Sequence, residues 1–119
     1  MSTRVIPAVV AGAALLVSAA PAQAAKTPKK TIRLYDDYFT PDSVKVKKGT
    51  LVTWRWPGFM EAGGVHDVKL KTAPKHVKKF HSEAAASDYS FKRKLKVPGV
   101  YKLVCTFHVD MRMTIRVKH

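Results

Sequence analysis

The sequence predicts an all-β domain, a sandwich or barrel of seven or eight short strands. Three observations predict it. Apolar and polar residues alternate with a period of two in several runs, and Gly, Pro and Asp interrupt those runs at fairly regular spacing. After the first residues, no stretch carries the 3.6-residue apolar period of a strong amphipathic helix. A chain of 119 residues has room for one such domain and little more.

The elements follow in order. Thr31–Tyr35 alternates and reads as the first strand, punctuated by Asp36-Asp37 and by Thr40-Pro41-Asp42. Val44–Lys48 alternates Val with Lys, and Lys48-Gly49 is a turn. Thr50–Trp56 is rich in β-formers and sets Val52, Trp54 and Trp56 on one face. Pro57–Gly64 is a loop, and Val65–Leu70 is again strand-like. Thr72–Ser87 reads as a helical turn or a loose connection. Tyr89–Val97 alternates with Lys92, Lys94 and Lys96 outward, Pro98-Gly99 turns, and Val100–Thr106 and Met113–Val117 close the chain.

The first residues are of another kind. Met1–Arg4 is short and basic, Val5–Ala20 is apolar or small, and Ala22-x-Ala24 is the pattern a signal peptidase accepts. A secretory signal over 1–24 is expected, then a basic flexible leader over 25–30 and one domain over 31–119. The alternative, a retained membrane anchor, fits poorly. The run is shorter than the roughly 20 residues a bilayer needs, and Pro7 and Gly12 interrupt it. No second run is long enough, so the cleaved chain is expected to have no transmembrane span. It is expected to act in the periplasm, in the cell envelope or as a secreted protein.

Lys and Arg number 22 against 8 acidic residues, a net charge of +14. A hydrophobic content of 46% excludes a disordered polycation, which lacks the apolar surface to offset chain entropy. The single Cys excludes an internal disulfide and any four-thiolate zinc or iron–sulfur site. Exported chains of this length commonly depend on disulfides. A lone exported thiol is exposed to oxidation unless something occupies it.

Cys105-Thr-Phe-His108-Val-Asp-Met111 places a thiolate, an imidazole and a thioether every third residue as a strand ends. A strand cannot show that spacing on one face, whereas a tight loop can fold the three toward one point. Cys with two His and a weak axial Met suits copper in both oxidation states. The set lacks one imidazole, and His66, after Gly63-Gly64, is the natural candidate. Taken singly, each residue has a plainer reading: Cys105 and Met111 as core, His66 as a satisfied histidine. Together those readings must explain three coincidences at once. His76, His81 and His119 are read as surface histidines.

With Phe39-Thr-Pro41, Val44-x-Val46-x-x-Gly49, Val52-Thr-Trp54, Gly64-Val-His66-Asp-Val68 and Gly99-Val-Tyr101 leading into that string, and Ile115-x-Val117 after it, the chain resembles the plastocyanin- and amicyanin-type cupredoxins. These are small blue-copper proteins, and the resemblance runs from about Thr31 to Lys118. The two residues between His108 and Met111 are closer to the amicyanin pattern. The resemblance implies a Greek-key β-sandwich holding one copper ion per chain, cycling between Cu(I) and Cu(II). It implies His66, Cys105 and His108 as equatorial ligands and Met111 as the weak axial one. It also implies single-electron transfer without substrate turnover.

Two positions depart from the family pattern. Asp67 stands where many relatives have an asparagine that braces the residue after Cys, here Thr106. Met113 stands where glycine is common, but its alternation with Ile115 and Val117 puts it in the last strand. In the family the imidazole edge equivalent to His108 reaches solvent through an apolar patch. Phe59 and Met60 are candidates for that patch or for a cap on the sandwich.

The partner implied is a redox protein with an acidic docking surface, met by a monomer that the positive charge steers. Nonspecific attraction to nucleic acid follows from the charge, but no recognition motif does. Two other functions share the residues: copper storage, delivery or buffering in the envelope, and a cationic binding module with a vestigial metal site.

Overall fold

The computed structural model describes residues 26–119, so the expected signal over 1–24 lies outside the described residues. Eight strands form two four-stranded sheets: β1 Lys29–Tyr35, β2 Tyr38–Thr40, β3 Ser43–Lys47, β4 Thr50–Trp56, β5 Lys69–Thr72, β6 Tyr89–Leu95, β7 Gly99–Val104 and β8 Arg112–Lys118. One sheet has the order β2-β1-β4-β6 and the other β3-β8-β7-β5. β1 pairs with β4, and β3 with β8, in parallel; the other pairings are antiparallel. Because neighbours are mostly not consecutive, the chain crosses repeatedly between sheets, as in a Greek-key sandwich.

Period-two alternation builds the core. Ile32 and Leu34 of β1, Val52, Trp54 and Trp56 of β4, Tyr101 and Leu103 of β7 and Met113, Ile115 and Val117 of β8 all point inward and are buried. Lys92, Lys94 and Lys96 are exposed, as the alternation predicts. The Trp54 and Phe91 rings lie 5.9 Å apart, tilted at 46°. Tyr101 Oη donates to Val97 O at 2.6 Å, fastening the turn before β7.

Two local expectations change, and a third is decided between its two alternatives. β2 is an added short strand: Asp37 turns with φ of 66°, so what reads as punctuation closes a hairpin onto β1. Val65–Leu70 is not one strand. His66 forms an isolated bridge with Ala85, and β5 starts only at Lys69. The Val68 N–H is taken by the Ser82 hydroxyl at 2.9 Å, so a side chain replaces a ladder bond there. Thr72–Ser87 is a connection with bridges and no helix.

Ile115 is fully buried in β8, a central strand. Ile115→Ala is expected to lower stability by about 2–5 kcal/mol. Arg116→Ala, on the exposed face of the same strand, is expected to stay within about 0.5 kcal/mol. Urea denaturation of the two variants checks the difference.

Candidate metal centre

The inward period of β7 runs through Tyr101 and Leu103 to Cys105, one residue past the strand. The inward period of β8, followed backward from Ile115 and Met113, reaches Met111. Both side chains therefore enter the same end of the core. The Cys105 N–H donates to Met111 O at 2.9 Å and closes the loop between them. His108 sits in that loop, and its carbonyl accepts from the Met111 N–H at 3.3 Å. The three-residue spacing thus arises from a tight turn between two inward-facing strand ends.

His66 arrives on the connection from β4 to β5, which crosses from one sheet to the other. Its bridge to Ala85 fixes its backbone through two hydrogen bonds of 2.9 and 3.0 Å, and Trp56 Nε1 donates to its carbonyl at 3.1 Å. The ring is completely buried. His66 Nε2 donates to Ala62 O at 2.6 Å. A carbonyl only accepts, so Nε2 carries the proton and Nδ1 presents its lone pair inward.

The donors converge. Cys105 Sγ lies 3.8 Å from His66 Nδ1 and 3.6 Å from His108 Nδ1. Thiolate and imidazole bonds of about 2.0–2.3 Å to one first-row ion, at angles between tetrahedral and trigonal, leave donors about 3.6–3.8 Å apart. The observed separations fit that ion without rearrangement. Met111 is buried beside them. Met113 is engaged elsewhere: Trp54 Nε1 donates to its sulfur at 3.3 Å.

Asp67 joins the two halves. Its Oδ1 accepts the Thr106 N–H and its Oδ2 the Thr106 hydroxyl, both at 2.6 Å. Oδ2 also accepts from His81 Nε2 at 2.7 Å. Burial alone would raise the Asp67 carboxyl, but the hydrogen bonds from His81 and from both groups of Thr106 outweigh it and hold it below the usual carboxylate range. Burial pushes the Cys105 thiol up, against backbone N–H groups of Asp67 and Phe107 that favour the thiolate. A metal ion must therefore displace a proton from sulfur.

Two contacts were not legible in the sequence. His81, read as a surface histidine, holds Asp67 from fourteen residues away. Asp37, read as punctuation, places Oδ1 3.3 Å from His108 Nε2. Gly63 lies against Asp36, the residue before Asp37, where a Cβ would clash with the Asp36 side chain and backbone. Phe59 and Met60 are 80% and 77% exposed, so they face solvent and do not cap the sandwich.

Residues 30–118 match the model of copper-binding proteins of the plastocyanin/azurin family. The chain belongs to that family. Its cofactor is one copper ion per chain, and the donor set above suits it. Solved structures agree on the fold. A Sinorhizobium pseudoazurin is 20% identical, with a TM-score of 0.61 over 78% of this chain and 76% of that one. A reduced amicyanin variant is 20% identical, with a TM-score of 0.63 over 74% and 80%. A purple cupredoxin from Nitrosopumilus maritimus is 20% identical, with a TM-score of 0.59 over 74% and 98%. No curated protein sequence matches the chain.

The lowered carboxyl of Asp67 has a consequence in acid. Its folded form binds a proton less readily than its unfolded form, so the stability it contributes is present above the ordinary carboxylate range. That stability is lost as pH falls through the folded value. Urea denaturation of the metal-free protein from neutral pH to about pH 3 is expected to show a flatter acid slope in Asp67→Asn than in the parent.

Proposed function

We propose that this chain is an exported mononuclear type 1 (blue) copper protein that carries single electrons between redox partners. The convergence of His66 Nδ1, Cys105 Sγ and His108 Nδ1 on one point carries the reading. In it these three side chains, with Met111, would hold the copper ion. Copper, when bound, supplies a one-electron couple.

The protein's part is to hold the donors still. Ala62 O fixes the His66 tautomer, and the loop bond from Cys105 N to Met111 O holds sulfur and thioether together. A site kept rigid in a geometry tolerable to both oxidation states reorganises little when an electron moves. The role is transfer, with no substrate turned over. The signal-like start of the sequence supports export to the periplasm, the envelope or beyond. The lone thiol, held at the metal centre, fits an oxidising compartment. The charge of +14 over the full sequence, all of it but that of Arg4 lying beyond residue 24, favours a monomer meeting an acidic redox protein.

Cupric ion added to the purified protein is expected to produce an intense blue thiolate-to-copper absorption that Cys105→Ser abolishes. A colourless parent would end the proposal. The Asp67 carboxylate beside Thr106 places negative charge near the ion and favours its oxidised form. Asp67→Asn is expected to raise the reduction potential by something on the order of tens of millivolts. Voltammetry returning an equal or lower value would count against that role.

A further inference from the structure

A cleft of about 590 Å³ runs along one flank of the sandwich. Lys78, Lys79 and His81 of the connection between β5 and β6 form one wall, and Arg93, Lys94 and Lys96 of the β6 side form the other. Phe80, Leu95 and Tyr101 line its apolar floor, and no carboxylate lines it among the described residues. Lysines on one solvated strand face repel little. Cations on two facing walls repel more, and no carboxylate among the lining residues offsets them.

Parts of the cleft are held in place. The Arg93 guanidinium lies over the Phe91 ring at 4.3 Å and over the Phe80 ring at 5.4 Å. Lys79 Nζ donates to Lys71 O at 2.7 Å. β6 is the edge of its sheet and pairs only with β4, so its outer backbone groups have no strand partner. Cationic walls, an apolar floor and an unpaired strand edge together suit an extended peptide carrying both carboxylates and apolar side chains. A bare polyanion would leave the floor unused.

The cleft also touches the copper site. His81 lines it and gives Nε2 to Asp67 Oδ2, which accepts from Thr106, the residue after Cys105. We infer that the cleft docks an extended acidic segment of a redox partner, and that His81 connects its occupancy to the metal. The partner's identity as a redox protein rests on the electron-carrier reading. A carboxylate brought to His81 adds negative charge at the end of a short hydrogen-bond chain to the ligand loop. It therefore favours oxidised copper, and by linkage the oxidised protein binds the segment more tightly.

The test uses the copper-loaded protein and a fluorescein-labelled peptide of alternating Glu and Phe, read by fluorescence anisotropy. Lys94→Glu with Lys96→Glu is expected to weaken binding at least about tenfold. The same reversal at Lys45 and Lys47, on β3 of the other sheet, is expected to weaken it less than about threefold. Equal losses would reduce the effect to net charge and overturn the docking site. So would inorganic polyphosphate binding more tightly than the peptide. The peptide is expected to lower the reduction potential of the parent and leave that of His81→Gln unmoved; equal shifts in both would overturn the His81 link. Binding is measured without electron exchange. A protein that takes the peptide in the cleft but fails to cycle reversibly at an electrode would keep the cleft and lose the carrier reading.

Discussion

The carboxylate of Asp67 is the constraint on which the site depends. His66 and Cys105 are separated by thirty-nine residues and lie on different connections. Nothing in strand pairing alone sets the distance between their side chains. Asp67, next to one, takes both hydrogen-bond donors of Thr106, next to the other. Two short bonds to adjoining groups fix a translation and a rotation, so the two loops move as one body. Charge-assisted bonds of this kind are stronger than neutral ones. Their cost is a carboxylate taken out of water, which His81 offsets from the solvent side.

That arrangement separates what could be read from what could not. The strands were legible because each sheet buries one face, so alternation in Thr50–Trp56 or Met113–Val117 has one physical cause. Cys105 and Met111 were legible for a related reason: the chemistry of the donor set was unusual, and each extends a strand's inward period by one step. The chemistry called for one more imidazole, and its place after Gly63-Gly64 made His66 the candidate among the remaining histidines. The Val65–Leu70 segment misled because its composition suits a strand, while Ser82 takes the ladder bond at Val68. His81 and Asp37 were invisible because their roles are set by tertiary approach. One is reached by the long connection before β6, the other by the turn that closes the β1–β2 hairpin.

Charge is distributed as unevenly as it is abundant. Of 8 acidic residues, Asp67 touches the ligand loop, Asp37 faces the outer nitrogen of His108, and Asp110 sits in the loop between His108 and Met111. Lysine and arginine dominate the flank beside β6. The carboxylates near the ion offset part of the positive charge that cupric copper leaves after its thiolate is counted, and they favour the oxidised state. They also make the tip around His108 a poor landing place for an acidic surface, since Asp37 is 62% exposed there. Under the proposed docking, an acidic partner drawn by the net field would be turned toward the flank, while Phe107 and Val109 stay exposed beside His108. In the proposed reading the lysines govern approach and orientation, while Phe107 and Val109 beside the imidazole govern close contact. One small sandwich can then present two different surfaces to a single partner without placing opposite demands on either.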